Sequence, residues 1–301
     1  MRIVVLLAIR NEQMFLGRCL EHLVRQGVEV CVIDNESTDR SRRIAESFLG
    51  RGVFRIETLP YNDCFDLPEI LRCKERLTKE INADWFIHHD ADEIREAPFP
   101  YKTLLEGIAD ADRQGFNAIN FDEFVFLPTG EDQSYEGRDY VSLMQYYYFF
   151  EPSPLRHVKA WKNNPAVQMD LVNSAGHSIQ FEGRRVFPRH FILRHYICLS
   201  RAHAISKYGS RVISLQVIKE RGWARDRVGF TPDKIRFPDP GRLKRVSGTW
   251  DKSDPWVRHE SLFGPVLQKT GETAVAKDGD RGVRRSLAHH MFFWSRRYKN
   301  G

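Results

Sequence analysis

Two aspartates, Asp90 and Asp92, follow an apolar run that is typical of a buried strand. The run covers residues 85–87 and ends abruptly in charged residues. Side chains two residues apart on an extended chain point the same way, so both carboxylates can be directed at one point. Mg²⁺ in proteins takes one or two carboxylates, keeps several waters and completes its shell with substrate phosphates. The pair therefore predicts a metal site for a diphosphate, with Asp90 and Asp92 as ligands.

The elements that must position this pair alternate between strand and helix over the first third of the chain. Strands are predicted at 2–9, 28–33, 53–58 and 85–89, and helices at 11–26, 40–49 and 68–82. Such alternation implies an α/β fold whose parallel sheet has helices on both faces.

The second half of the chain has a different pattern. It contains predicted strands at 117–127, 141–151, 156–162 and 166–171, further strand or loop at 181–195, and a long helix at 200–221. Residues 222–271 are rich in Pro, Gly, Trp and Arg and show no clear period. No linker stands out, which favours two halves of one domain followed by an irregular cap.

Charge is concentrated at the C-terminal end. The formal net charge is +6, and residues 281–301 contain six basic residues and no acidic one. The remainder is balanced, which argues against a nucleic-acid-binding protein because such a protein carries a basic face. The tail also has Val283, Leu287, Met291 and Trp294 at helical spacing. It is predicted either to lie on an anionic membrane surface or to pack on the domain.

The N-terminal apolar run, residues 3–9, is too short to span a membrane and is followed by no cleavage site. We interpret it as the first strand. The five cysteines have no metal-ligand spacing and are predicted to be buried thiols in a reducing compartment. The predicted location is therefore cytoplasmic, with membrane association through the tail as the additional possibility.

Polar residues follow three of the predicted strands. They are Arg10, Asn11 and Glu12 after the first strand, Asp34 and Asn35 after the second, and residues 88–92 after the fourth. Ligands of open α/β sheets bind beyond the carboxyl ends of the strands, so these groups can form one site. Neither a GxGxxG nor a P-loop pattern is present in the sequence, which argues against dinucleotide-binding and P-loop proteins.

Together these segments resemble the family 2 glycosyltransferases of GT-A fold. The matching segments are residues 8–12, 33–39 and 83–93. The chain departs from the family at Glu36, where Gly is usual, and at Arg40, where a small residue is frequent. The resemblance implies a GT-A-like, Rossmann-type sheet, a nucleotide-sugar donor, a divalent metal (Mn²⁺ or Mg²⁺) and transfer to an acceptor hydroxyl, and it favours inversion.

The resemblance also assigns roles to residues. The donor-binding residues are Ala8, Asn11, Glu12, Asp34, Asn35, Lys74, Asp90 and Ala91. Glu12 would touch the ribose or base, and Asp34 would accept a hydrogen bond from the N–H of uracil or guanine. Asp34 could instead cap the following loop. Lys74 would face the diphosphate, or else belong to a solvated helix face.

The candidates for a third metal ligand and for the catalytic base lie in the second half. Residues 194–200, with Lys207 beyond them, resemble the closing region of a subset of the family, in which a histidine completes the metal shell. His195 is therefore the third predicted metal ligand, and His177 is its rival. An inverting enzyme also needs a carboxylate that reaches the acceptor hydroxyl. Asp122, Glu123, Asp170 and Glu182 all lie in the acceptor half. Glu123 and Asp122 are the predicted catalytic residues, and only one of these two strand neighbours can face the site.

The predicted function is transfer of a sugar from a UDP- or GDP-linked donor to a carbohydrate or lipid-linked acceptor, as in polysaccharide biosynthesis. The predicted regions are a donor-binding half at 1–115, an acceptor-binding half at 116–221, and a cap with the basic tail at 222–301. Two alternatives remain open. A phosphoesterase would combine His88, His89, Asp90 and Asp92 with further histidines in a two-metal site, and a nucleotide-sugar-binding protein would lack catalysis.

Overall fold

A ten-stranded sheet runs through the computed structural model, which describes residues 1–151, 157–209, 211–212, 219 and 231–256. The strands are β1 (Ile3–Ile9), β2 (Glu29–Asp34), β3 (Val53–Thr58), β4 (Trp85–Asp90), β5 (Glu93–Glu96), β6 (Ala118–Phe126), β7 (Tyr146–Phe150), β8 (Val158–Lys162), β9 (Phe191–Tyr196) and β10 (Lys244–Arg245). The helices are α1 (Leu16–Arg25), α2 (Ser41–Ser47), α3 (Leu67–Glu80), α4 (Leu104–Arg113), α5 (Tyr140–Leu143) and α6 (Arg201–Gly209). Two 3-10 turns, Pro232–Lys234 and Pro240–Arg242, precede β10.

The order of the strands separates a parallel half from a mixed half. Neighbours follow the order β10-β7-β6-β8-β4-β1-β2-β3, and β9 pairs with both β5 and β6. Strands β1 to β4 pair in parallel, whereas β8 is antiparallel to both β4 and β6. The predicted α/β class, with a mostly parallel first half and a mixed, strand-rich second half, is confirmed.

Side chains of β1 alternate between two apolar layers. Ile3, Val5, Leu7 and Ile9 pack with the buried faces of α1 and α4, and Val4 and Leu6 pack with α3. Helices therefore cover both faces of the parallel strands, as predicted. A central strand that is buried on both faces must be apolar throughout, and each such side chain contributes about 1.5–3 kcal/mol by leaving water.

Helix α1 begins at Leu16, so the predicted start at residue 11 is wrong. Asn11 has a left-handed backbone with a φ of 56°, which interrupts the chain between β1 and the helix. The next N–H groups bond to side chains from the loop after β2: Glu12 N–H donates to Ser41 Oγ and Gln13 N–H to Asp39 Oδ2. The loop after β1 is thereby fixed to its neighbour.

Other elements also differ from the sequence prediction. Residues 166–171 form no strand, and only Asp170 makes a bridge there, to Gln180. Helix α6 ends at Gly209, which shortens the predicted helix at 200–221, much of whose remainder lies outside the described residues. Strand β5 and helix α4 were not predicted. The basic tail at 281–301 lies outside the described residues as well.

The described residues all belong to one compact unit, and the predicted boundaries at 115 and 221 within it stay predictions. All five cysteines are free, and four of them are buried. No helix in the described part of the chain is long and apolar enough to cross a membrane.

Candidate active site

The carboxyl ends of β1, β2 and β4 lie level with one another. In the strand register, Ala8 of β1 pairs with Asp90 of β4, and Ile9 pairs with Asp34 of β2. Asp34 and Asp90 therefore flank the end of β1 from its two sides. The parallel strands bring the predicted polar groups to one edge of the sheet, where ligands of such sheets bind.

The loops after β1 and β2 are joined by side-chain hydrogen bonds. Asn11 Oδ1 accepts from the backbone N–H of Thr38 at 2.7 Å. Asn35 Nδ2 donates to the carbonyls of Leu59 and Pro60, each at 3.0 Å, and so fixes the end of β3. Both amides serve to shape this edge. Ala91, another predicted donor contact, is buried in the apolar core.

Asp34 is buried and caps the loop that follows it. Its Oδ1 accepts from the backbone N–H of Ser37 at 3.0 Å, and its Oδ2 lies 3.5 Å from Arg42 Nη1. The capping role considered from the sequence is therefore present. The contact with a donor base stays a prediction.

Glu36 follows in this loop with a left-handed backbone, at a φ of 52°. This conformation explains why glycine is usual at the position in the family that the chain resembles. The Glu36 carboxylate accepts from the backbone N–H of Tyr61 at 2.9 Å, a contact that glycine could not make. The departure is thus accommodated locally, and the loop keeps its place at the sheet edge.

The two aspartates of the DxD segment have different surroundings. Asp90 ends β4 with its side chain 48% exposed, whereas the Asp92 side chain, in the turn before β5, is 12% exposed. The predicted common direction assumed an extended chain, but the strand stops at Asp90. The turn is held by the Glu93 carboxylate, which accepts from the backbone N–H of Asp90 at 3.2 Å.

Asp92 is in contact with two cationic side chains from distant parts of the chain. Lys207 Nζ of α6 lies 2.6 Å from Asp92 Oδ2, and His195 Nε2 of β9 lies 3.3 Å from the same oxygen. Burial alone would raise the pKa of the Asp92 carboxyl, but Lys207 and His195 hold it well below its usual value. Asp92 is therefore a buried, ionised carboxylate.

His195 connects Asp92 to a second buried carboxylate, Glu123. His195 Nδ1 lies 2.7 Å from Glu123 Oε1, and the other Glu123 oxygen lies 2.9 Å from His157 Nε2. Burial works to lower the pKa of His195, but the carboxylates of Asp92 and Glu123 raise it well above its usual value. The three residues form a chain in which one imidazole is held between two carboxylates.

Asp122, the neighbour of Glu123 on β6, is part of another group of contacts. Its two oxygens lie 2.8 Å from His190 Nδ1 and 2.7 Å from Lys252 Nζ. Of the two carboxylates predicted as the base, Glu123 is thus the one that contacts the His195 and Asp92 group.

Glu12 lies in the same buried region. Its Oε1 is 3.4 Å from Arg211 Nη2. Burial raises the pKa of the Glu12 carboxyl, although the nearby Lys207 ammonium opposes this. Glu12 therefore shares its electrostatic surroundings with Asp92, and its contact with the donor stays a prediction.

Behind the turn lies a buried ionic cluster that the sequence analysis missed. Glu93 bonds to Arg95 and, at 2.8 Å, to Lys159 Nζ, and all three side chains are nearly inaccessible to water. Burial by itself would raise the pKa of Glu93, but Arg95 and Lys159 lower it well below its usual range. The sequence offered one signal of a strand here: apolar Ile94 lies between two charged residues, which is the alternation of a β-strand.

Lys74 is fully buried, so its assignment to a solvated helix face is wrong. Its Nζ lies 3.1 Å from His88 Nδ1 and 3.2 Å from the carbonyl of His89. Burial lowers the pKa of Lys74 to about 8. The lysine packs against β4, and its contact with the diphosphate stays a prediction.

The histidines considered for a hydrolytic cluster contact different groups: His88 Nε2 lies 4.0 Å from Asp90 Oδ2, whereas His195 contacts Asp92. Burial lowers the pKa of both His88 and His89 well below the usual value, and His190 lies beside Asp122. His177, the rival ligand, packs against His157 with ring centroids 5.9 Å apart. Within the described ranges there is no group of three or more His, Cys, Asp and Glu side chains that could hold a metal alone. No observation favours the two-metal phosphoesterase.

Solved structures similar to this chain include three enzymes. S. aureus TarS is 12% identical with a TM-score of 0.38, covering 70% of this chain and 38% of that one. Its 1–349 form in complex with UDP is 11% identical with a TM-score of 0.40, covering 70% and 63%. Mannosyltransferase PcManGT from Pyrobaculum calidifontis, in complex with GDP-Man and Mn²⁺, is 20% identical with a TM-score of 0.30, covering 40% and 35%.

Glucosyl-3-phosphoglycerate synthase from Mycobacterium tuberculosis, in complex with Mn²⁺, UDP and glucosyl-3-phosphoglycerate, is 20% identical with a TM-score of 0.29, covering 43% of this chain and 45% of that one. The chain thus spans between 38% and 63% of the length of the TarS chains that it matches. No curated protein matches it in sequence.

One family model matches the chain, over residues 4–63, and its description is Glycosyl transferase family 2. The matched residues comprise β1, α1, β2, α2 and β3, with the cross-linked loops that carry Asn11, Glu12, Asp34 and Asn35. Over these residues the chain is similar to glycosyltransferase family 2.

Proposed function

We propose that the protein transfers a sugar from a nucleoside-diphosphate donor, UDP- or GDP-linked, to an acceptor hydroxyl. The observation that carries this proposal is the chain of contacts from Asp92 through His195 to Glu123, at the sheet edge that also bears Asp34. The family match over residues 4–63 supports the donor class. A nucleotide binds at such an edge in α/β proteins generally.

The residues present fit a divalent cation, Mn²⁺ or Mg²⁺, bound by Asp92 and His195. Asp92 Oδ2 and His195 Nε2 are 3.3 Å apart, and two ligands at neighbouring positions of an octahedral ion are about 3 Å apart. A histidine that binds a metal usually gives its other ring nitrogen to a carboxylate, and Glu123 lies at that nitrogen. Because a nitrogen donor suits Mn²⁺ better than Mg²⁺, we favour Mn²⁺.

The remaining residues divide the work of binding and orientation. A bound cation would supply positive charge to the departing diphosphate. We propose that Asp90, whose side chain is half exposed at the end of β4, contributes a second carboxylate to the same cation. Asp34 and Glu12 bind the nucleoside, while Oδ1 of Asp34 continues to accept the backbone N–H of Ser37. Transfer by inversion then needs a carboxylate base at the acceptor.

We assign Glu123 to the orientation of His195 rather than to the base. It is 3% exposed and both of its oxygens lie close to imidazoles, so an acceptor hydroxyl would have to displace an existing contact. Asp122 remains the alternative base, and its neighbours His190 and Lys252 would then contact the acceptor.

The acceptor is proposed to be a carbohydrate or a lipid-linked carbohydrate, as in polysaccharide biosynthesis. The protein is proposed to act in the cytoplasm, with peripheral membrane contact through residues 281–301. The basic charge of that segment supports this proposal.

The test is transfer from a set of UDP- and GDP-linked sugars, with and without Mn²⁺, by wild type and Asp92→Asn. The variant should lose transfer to the level of chelator-treated wild type, because the substitution removes the charge and keeps the shape. Asp84→Asn is the matched control, because Asp84 bonds to the backbone N–H of Arg2 at the start of β4, far from the site. Near wild-type transfer by Asp92→Asn, with metal still required, would overturn the assignment.

A further inference from the structure

Lys207 makes the shortest contact with Asp92. The two side chains meet at 2.6 Å, and the Lys207 side chain is only 7% exposed. Its ammonium also lies 3.4 Å from the carbonyl of Ile197 and 4.9 Å from the centre of the Phe15 ring. The lysine is therefore held in place by three elements at once: the turn before β5, the end of β9 and the start of α1.

The Lys207 ammonium occupies the place beside Asp92 that a divalent cation would need. A carboxylate oxygen binds a metal through the same lone pairs that it offers to an ammonium group. Both Lys207 and His195 approach Oδ2 of Asp92, so that oxygen is already surrounded by donors. A metal ion can bind there only if Lys207 moves or if further negative charge arrives.

The charges around Lys207 are balanced without a metal. The Lys207 ammonium lies 2.6 Å from Asp92, and the Arg211 guanidinium, which is 25% exposed, lies 3.4 Å from Glu12, so two cations face two buried carboxylates. A divalent ion added to this cluster would leave uncompensated positive charge, which is unfavourable away from water.

We propose that Lys207 is the resident cation of Asp92, which keeps a divalent ion from binding in the absence of nucleotide and makes metal binding depend on a nucleoside diphosphate. The inference rests on the proposed function in one respect, since the diphosphate is the anion that restores the balance. When it binds, its negative charge can attract the ammonium away from Asp92 and complete the shell of the ion. Lys207 is thus a positioning residue that couples the two ligands.

The experiment measures binding of Mn²⁺ alone, by calorimetry and by the loss of the free-ion electron paramagnetic resonance signal. Wild type should bind Mn²⁺ weakly without nucleotide, and Lys207→Met should bind it about tenfold or more tightly, because a like charge beside the ion has been removed. Lys207→Arg keeps the charge and should bind as weakly as wild type. Lys162→Met, which removes an ammonium that pairs with Asp112 at 2.8 Å instead, is the control and should not gain affinity.

Thermal unfolding shows which variants are folded. If Lys207→Met does not fold, Lys207→Gln takes its place. Equal Mn²⁺ affinity of wild type and the folded neutral variant would overturn the proposal. So would an equal gain in Lys162→Met. In a second arm, UDP or GDP should tighten Mn²⁺ binding to wild type far more than to Lys207→Met. Failure of both nucleotides to bind would count against the proposed function, and the comparison with Mn²⁺ alone would still decide the role of Lys207.

Discussion

Glu123→Gln separates a carboxylate that orients His195 from a carboxylate that acts as a base. In the structure, Glu123 Oε1 lies 2.7 Å from His195 Nδ1, and His195 Nε2 points to Asp92. Glutamine keeps the size of the side chain but removes the charge, and its amide group can present a donor where the imidazole needs an acceptor. The orientation of His195 and the choice of its metal-binding nitrogen should therefore be weakened.

The expected size of the effect follows from this arrangement. Loss of a partner that holds a metal-binding histidine typically costs about 10- to 100-fold in metal affinity, which corresponds to about 1.4–2.7 kcal/mol. We therefore expect the Mn²⁺ concentration for half-maximal transfer to rise by that factor in Glu123→Gln. Transfer at saturating Mn²⁺ should recover to a large part of the wild-type rate, because the proposed base is another group.

The assay is a titration of Mn²⁺ at saturating donor, with transfer and nucleotide binding measured on the same samples. Asp122→Asn is the control for Mn²⁺ binding: it removes a charge at the adjacent position of β6, but its partners are His190 and Lys252. The Mn²⁺ concentration needed for nucleotide binding should therefore stay unchanged, even though transfer is lost if Asp122 is the base. Transfer that is abolished in Glu123→Gln at every Mn²⁺ concentration, with unaltered Mn²⁺ binding, would refute the reasoning. Glu123 would then be the base itself.

Three further results are expected. Asp34→Ala should weaken binding of UDP or GDP by roughly 1–3 kcal/mol, the cost of losing a hydrogen bond to a charged group; unchanged calorimetric affinity for both would leave Asp34 with its loop contact to Ser37 alone. The pKa of Lys74 falls from 10.5 to about 8 on folding, so between these two pH values the unfolded chain binds the extra proton. In that window, denaturant titrations should show wild type gaining roughly 1.4 kcal/mol per pH unit relative to Lys74→Met; a constant difference would contradict its burial. Deletion of residues 281–301 should abolish salt-sensitive sedimentation with anionic vesicles, and a full-length protein that never sediments would support the packed-tail alternative.

The parallel half of the sheet could be predicted from local pattern. Strand β3 spans Val53–Thr58, as its apolar run indicates, and β1 and β4 differ from their predicted bounds by one residue. These strands are covered by helices on both faces, so nearly every residue must be apolar, and the run itself marks the element. The polar residue that ends each run then marks the site.

The contacts within the site could not be predicted, because they join remote parts of the chain. His195 is 72 residues from Glu123 and 103 from Asp92, and only the pairing of β9 with β5 and β6 brings them together. Lys74 is a different case, since it lies four residues after Ile70 and three before Leu77 on the buried stripe of α3. Its position on the helix indicated a buried side chain, whereas its charge suggested an exposed one, and the structure shows that it is buried.

Strand β5 was not predicted because its sequence is mostly charged. The sequence of Glu93–Glu96 has one apolar residue in four, yet Glu93 and Arg95 are buried against Lys159. Apolar residues of similar volume would often be as stable or more stable than a buried ionic cluster, so stability alone does not account for it. Glu93, however, also accepts the backbone N–H of Asp90, which an apolar side chain could not do. The cluster thereby fixes the turn in which Asp92 points inward to His195. We infer that the role of these buried charges is to position the Asp92 carboxylate.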